Sequence, residues 1–394
     1  MEFQVLLRKA VVTKFDEALR LVKKTNCNSS VFEKLAKKSL MFPLVFEKID
    51  NRAANILKQE SLRVGADAAV CEDVSKFKKG TSDAVLFATE NQIEKLITKL
   101  SIQPFGLKQI ALQIKDILLA NSKKFFSYKN KKIDLTSPIV MGIINVTPDS
   151  FSGDGITDPD IALKRAIDFE ESGAKIIDIG AESTRPGSDF IDAKTEIQRL
   201  LPALKKIRKV IKIPISIDTY KYETAKAVLA EGADIINDIF ALREGKDKLA
   251  SLIREENAGL ILMHAKGKPK NMQKNPSYKN CVSEIYEFLA ARKEYALKFA
   301  IKEENIAVDP GPGFGKVLEH NVELVKNMSV FSSLGAVVGA VSRKRFVREI
   351  CSNDKTSFVA LNILTAFCGA DIIRTHDVKE TVESLKIIKF FRRV

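Results

Sequence analysis

Short stretches in the second half of the chain set cations beside hydrogen-bonding groups: Ser342-Arg343-Lys344 and Arg374-Thr375-His376. Arg374, His376 and Lys344 together would make a cationic pole suited to phosphate, because a guanidinium grips two phosphate oxygens at once. A second set, Asp218, Asn237 and Asp309, offers acceptors and an amide suited to a flat heterocycle with donors and acceptors along its edge. A carboxylate there can also stabilise a developing cation, and this acidic set is expected across the site from the cationic pole. Taken singly, each Asp or Asn also reads as a helix or turn cap. Of the three histidines, His264 and His320 read as satisfied structural groups, whereas His376, beside Arg374, reads as functional. The chain offers no Ser-His-Asp logic and no H-E-x-x-H, and Gly311-Pro-Gly-Phe-Gly-Lys316 lacks the spacing and the Ser or Thr of a P-loop.

The elements that must position these groups are apolar, β-branched runs at 139–146, 176–180, 213–217, 235–239, 260–263, 306–308, 336–341 and 372–374. Polar residues end every run, including Asn145, Glu182, Asp218, Asn237, Met263-His264, Asp309, Ser342 and Arg374. Helical periodicity fills the gaps, at 161–172, 194–210, 223–231 and 249–256, and 357–367 serves the last crossover. Eight β/α units predict an α/β architecture, a closed TIM (β/α)8 barrel, whose strand C-termini face the active site. A strand-turn-strand pattern over 125–135 would plug the barrel's bottom. Its run of lysines interleaved with Phe125, Phe126 and Tyr128 could in principle stack single-stranded nucleic acid, but its alternation suits a hairpin better.

The 394 residues leave room for a smaller domain ahead of the barrel, and two domains are expected: 1–121, an α/β accessory domain, and 122–394, the barrel. The first has strand-like runs at 3–7, 39–46 and 84–87, helical runs at 91–100 and 107–119, and no histidine. It should be delivered near the barrel's N-terminal face, away from the loops that hold substrate. With 45% hydrophobic and 29% charged residues the composition is that of a globular chain, and no apolar stretch is long enough to span a membrane. The start lacks a secretion signal, so a cytoplasmic location is expected. The net charge of +14 is spread over both domains, which argues against a polycationic nucleic-acid arm. Five scattered cysteines, never spaced C-x-x-C, read as reduced and mostly buried.

At these same residues the chain resembles the dihydropteroate synthase family. The resemblance runs through 141–152 (Met-Gly-Ile-Ile-Asn-Val-Thr-Pro-Asp-Ser-Phe-Ser) and 178–187 (Asp-Ile-Gly-Ala-Glu-Ser-Thr-Arg-Pro-Gly). It continues in order through Ser216-Ile-Asp-Thr219, Ile236-Asn-Asp238, Leu262-Met-His264, Asp309 to Lys316, Ser342-Arg-Lys344 and Arg374 to Val378. The resemblance implies a TIM barrel that joins a dihydropterin pyrophosphate to para-aminobenzoate and expels pyrophosphate, with Mg2+ and as a homodimer. It further implies that Asp309, Asn237, Asp218 and Lys344 bind the pterin, that Asn145 reaches the magnesium, and that Arg374 and His376 hold the pyrophosphate. Thr184, Arg185, Pro186 and Ser342 would shape the aminobenzoate pocket, Phe314 would stack on its ring, and Met263 would line the site. The sequence departs from the family at Ala181, Ala265-Lys266, Pro312, Arg345 and Thr375, none of which removes a named chemical group. The nearest rival is a pterin-binding methyltransferase domain, which needs no pyrophosphate pole; a catalytically idle homologue is another.

Overall fold

Strand-forming residues that alternate with polar ones build the first sheet, as is usual where one face is buried. The computed structural model describes residues 10, 12, 15–120, 125–147, 155–183, 190–267, 272–273, 275–351 and 354–393. The chain divides into two compact units, Met1–Leu119 and Ala120–Val394. In the first, β1 (Met41–Asp50), β2 (Asp67–Val70) and β3 (Thr81–Thr89) form an antiparallel sheet in the order β1-β3-β2. Helices Asn51–Arg63, Glu90–Leu100 and Leu107–Ala120 supply the core, where Leu57, Leu86, Ile93, Leu96 and Leu107 are buried together. The Asp50 carboxylate accepts the Arg52 amide at 2.8 Å and starts the first of these helices; Thr89 and Gln92 start the second with a capping box. The expected strands at 39–46 and 84–87 and helices at 91–100 and 107–119 are present. The sequence reading missed helix Asn51–Arg63, whose buried stripe is largely small (Ala53, Ala54, Ser61), and the short β2. The strand expected at 3–7 lies outside the described residues.

The second unit opens with a hairpin, β4 (Phe125–Tyr128) and β5 (Lys131–Asp134). Its two-residue turn, Lys129-Asn130, has φ of 43° and 60°, the left-handed pair that matches the twist of the flanking strands. Phe126 is fully buried against Met141, Ile176, Ile235, Ile261, Ala307, Val338 and Ile372, the first inward residues of the barrel strands. A Cβ on Gly259 would come within 2.9 Å of the Phe126 ring, so only glycine leaves the plug room. Burial of Phe126 and Tyr128 also removes them from any stacking surface for nucleic acid.

Eight parallel strands follow: β6 (Ile139–Asn145), β7 (Ile176–Gly180), β8 (Ile215–Asp218), β9 (Ile235–Asp238), β10 (Gly259–Met263), β11 (Ile306–Asp309), β12 (Ala336–Gly339) and β13 (Ile372–Thr375). They close in sequence order, β13 pairing with β6, and form the expected TIM barrel. The outer ring comprises helices Pro159–Glu171, Ala193–Val210, Tyr222–Ala230, Lys246–Glu255, Cys281–Lys298, Leu318–Lys326, Lys355–Phe367 and Val378–Arg393. Asp158, Asp192, Asn280 and Asp354 cap four of them through their side chains. Outward strand residues such as Ile144, Ile177, Ile217, Leu262 and Ile373 join the helices in the main core. The two-residue period of a strand then turns the alternate residues inward. Above the apolar plug layer that inward set becomes polar: Asp178, Ser216, Asp218, Asn237, Asp309 and Arg374.

The cysteine expectation needs correction: of the five, only Cys281 is buried, while Cys71 and Cys351 are exposed. None of them is paired in a disulfide.

Candidate active site

Arg374 extends from the end of β13 to the ends of β7 and β8. Its Nε donates to Asp178 Oδ2 at 2.6 Å and its Nη2 to Asp218 Oδ2 at 2.8 Å. The amide of Asn237 donates to the same Asp178 oxygen at 3.3 Å. The expected separation of a cationic pole from an acidic one is therefore corrected: a long guanidinium inside a narrow barrel binds the carboxylates directly. Burial lowers the Arg374 guanidinium, but Asp178 and Asp218 more than reverse this and raise it above its ordinary value. Burial raises the Asp218 carboxyl, with Arg374 pulling against it and Asp178 adding to the rise. Asp178, which sequence reasoning left without a role, is fully buried, and its Oδ1 has no partner among the described residues. The signal that could have found it is the inward register, which pairs Asp178 with Ser216 on β8, itself buried with an unpartnered hydroxyl.

A second group forms around His376. Its Nε2 lies 3.3 Å from the Asn145 amide nitrogen and its Nδ1 lies 3.3 Å from the Ser342 hydroxyl. Beside it, Arg343 is tied to Asp377 at 2.8 Å and so belongs to the framework. Lys344 donates to Pro312 O and sits 4.6 Å from the Phe314 ring centroid. Burial lowers the Lys344 ammonium to about 8, with Asp309 opposing. Asp309 is raised by burial, against the pull of Lys344 and of the Gly311 amide that it accepts at 2.7 Å. Phe314 packs on the cluster of Ile239, Phe240, Met263 and Ala265 at the strand ends. Thr184, Arg185 and Pro186 lie outside the described residues.

His264 and His320 have structural surroundings. His264 is buried and its Nδ1 meets Lys316 Nζ at 3.0 Å; burial first, and then Lys316, hold its imidazole down to about 2 and so neutral. His320 caps Val317 and meets Tyr278 edge-on at 4.8 Å. Lys316 is itself lowered to about 7 by burial.

Residues 141–376 match the family described as pterin binding enzyme. The chain belongs to that family. A Helicobacter pylori bifunctional dihydropteroate synthase/dihydropteroate reductase is 33% identical over 91% of this chain and 92% of its own length. A Streptococcus pyogenes dihydropteroate synthase is 39% identical over 63% of this chain and 94% of its own. The crystal structure of the Yersinia pestis dihydropteroate synthase with a sulfonamide drug complex superposes with a TM-score of 0.65 at 35% identity, covering 68% of this chain and all of that one. As a pterin-binding enzyme the chain is a transferase of the dihydropteroate synthase kind.

Proposed function

We propose that the barrel condenses (7,8-dihydropterin-6-yl)methyl diphosphate with 4-aminobenzoate to give 7,8-dihydropteroate and diphosphate. The observation that carries the reading is the pair of inward carboxylates, Asp178 and Asp218, sharing the single guanidinium of Arg374 beside Asn237. Asn237, Asp309 and Lys344 bind the pterin edge. Asp218 lies where charge develops: the bond between the exocyclic methylene and diphosphate oxygen breaks, the electron pair leaves with diphosphate, and the pterin becomes cationic. Two carboxylates against one guanidinium leave net negative charge to stabilise that cation. The amine lone pair of 4-aminobenzoate then forms the new C–N bond and the nitrogen gives up a proton. An aniline carries a free lone pair near neutral pH, so no strong general base is required. Arg374 and His376 hold the diphosphate, and Ser342 and Phe314 border the aminobenzoate pocket together with Thr184, Arg185 and Pro186.

Asn145 fits a magnesium ion that arrives with the diphosphate. Its amide nitrogen is turned to His376, which leaves the carbonyl oxygen for a hard cation, and magnesium commonly takes one or two protein oxygens with the rest from phosphate and water. Among the described residues no cluster of three or more His, Cys, Asp or Glu forms a competing metal cage. When bound, the ion would neutralise charge on the leaving diphosphate.

A homodimer and a cytoplasmic location belong to the same proposal. Leu364 and Phe367 on helix Lys355–Phe367, and Ile387 and Phe390 on the adjoining Val378–Arg393, are exposed, as expected of a surface that a second copy covers. Among the described residues no helix is long and apolar enough to cross a membrane.

The deciding experiment measures diphosphate release with each substrate alone and with both. Release that needs both supports the synthase reading; none with both overturns it and favours methyl transfer. A second reading concerns the first unit alone. The alignment with the H. pylori protein takes in most of it, so a reductase activity on dihydropteroate is a reading to test by oxidation of added NADH or NADPH with and without that substrate.

A further inference from the structure

The loop that leaves β11 is fastened along its whole length. Lys316 Nζ donates to Gly311 O at 2.8 Å and to Phe314 O at 3.0 Å, and its third contact is His264 Nδ1 at 3.0 Å. Lys344 holds Pro312 O, the Gln273 amide holds Gly313 O, and the Tyr278 hydroxyl holds Gly315 O at 2.9 Å. Every backbone carbonyl from Gly311 to Gly315 thus meets a side-chain donor. An ordinary turn leaves its carbonyls to water; this one is sealed. Lys316 is buried, and an ammonium has three N–H groups for the three acceptors around it. Neutral His264 has a lone pair to offer at Nδ1. The loop also lies directly on the chain beyond β10: Gly311 has φ of 65°, and a Cβ there would fall 2.0 Å from His264 O. The side chain that this fastened segment presents to the strand-end apolar cluster is Phe314.

We propose that Lys316 is a positioning residue for the second substrate: by pinning Gly311 O and Phe314 O to His264, it fixes Phe314 as a wall for the aromatic ring of 4-aminobenzoate. The inference rests on the synthase reading. Lys316 touches neither substrate and acts through the loop. Asp309 is bonded by the Gly311 amide rather than its carbonyl, and Gly311 O keeps the Phe314 amide at 3.1 Å, so no hydrogen bond of Lys316 reaches the pterin side of the site.

The test is steady-state kinetics on the full-length chain with both substrates varied. Lys316→Met keeps the length of the side chain and removes all three contacts. It should raise KM for 4-aminobenzoate about tenfold or more, with KM for the pterin diphosphate within about twofold and kcat within about threefold. Tyr278→Phe removes only the donor to Gly315 O and should shift the same KM in the same direction by about threefold, so the test stands if Lys316→Met does not fold. A sulfonamide inhibitor that competes with 4-aminobenzoate should lose affinity in parallel. Loss of fold integrity without positioning would depress kcat or raise both KM values together, and either outcome overturns the proposal, as does an unchanged KM for 4-aminobenzoate in soluble variants. Absence of diphosphate release in the unmodified chain would instead sink the synthase reading itself.

Discussion

Replacing Arg374 by Met would leave Asp178 and Asp218 in the barrel without their common cation. The Arg374 side chain is 17% exposed and that of Asp178 is fully enclosed, so solvent compensates little of the loss. Breaking a buried pair by removing one partner costs about 3–5 kcal/mol, and here two carboxylates are stranded by one substitution. The effect depends on pH in a defined sense. The Asp218 carboxyl is already raised by burial and is held back by Arg374, so in the variant it rises further. A carboxyl raised in the folded state contributes stability that is fully present below its unfolded value, about 3.9, and lost as pH climbs through the folded value, at about 1.4 kcal/mol per pH unit while it stays protonated. The deficit relative to the parent protein should therefore be smaller near pH 5 than near pH 8, opening above the parent's folded value of about 7 by up to about 1.4 kcal/mol per pH unit. Urea unfolding followed by circular dichroism at both pH values measures it. Adding Asp218→Asn to Arg374→Met should recover part of the loss at pH 8. A deficit that is equal at both pH values, or no recovery in the double variant, would refute the charge argument.

Asp218→Asn keeps shape and loses charge, so it should lower kcat by about 100-fold while changing KM for the pterin diphosphate by less than about threefold, measured by diphosphate release; a raised KM at unchanged kcat would contradict the role of the carboxylate. Because bound diphosphate should complete the pocket for the second substrate, a sulfonamide should bind the protein well in calorimetry only when diphosphate or the pterin diphosphate is present, and equal affinity without them would count against it. A chain beginning near Ser122 should keep both KM values within about threefold, a change under about 0.7 kcal/mol in binding; a soluble, folded shortened chain without diphosphate release would place part of the first unit in catalysis.

The barrel was legible because parallel strands buried on both faces read as continuous β-branched runs, such as 176–180, and because polar residues interrupt each run where it meets solvent. Strand limits shifted where a backbone rule intervened: β8 begins at Ile215, after Pro214, which has no N–H to offer the ladder. Residue types located Asp218, Asn237, Asp309, Lys344 and Arg374 at the strand ends, but not who bonds whom. That Arg374 reaches Asp178 and Asp218 depends on side-chain length across a closed cylinder, which no local pattern encodes. Lys316 was legible only as the last residue of a failed P-loop, since its partners at 264 and 311 meet through the third dimension. Helix Asn51–Arg63 was missed because alanines and a serine form much of its buried stripe, and small residues carry a weak apolar signal.

The plug and the closing seam bear on how the chain comes off the ribosome. Phe126 and Lys129 are made early, yet Lys129 bonds Asn257 O and Ala233 O, and Phe126 packs on Ala307 and Ile372. The last ladder joins Ile139 to Ile372. A nascent chain therefore carries β6 with one edge bare until almost the whole barrel has been synthesised, an arrangement rich in distant contacts and slow to complete. Premature stops beyond β12 would leave that edge permanently open to other strands, so loss of the final β/α unit should appear in cells as aggregation and degradation before it appears as a missing cation in the active site.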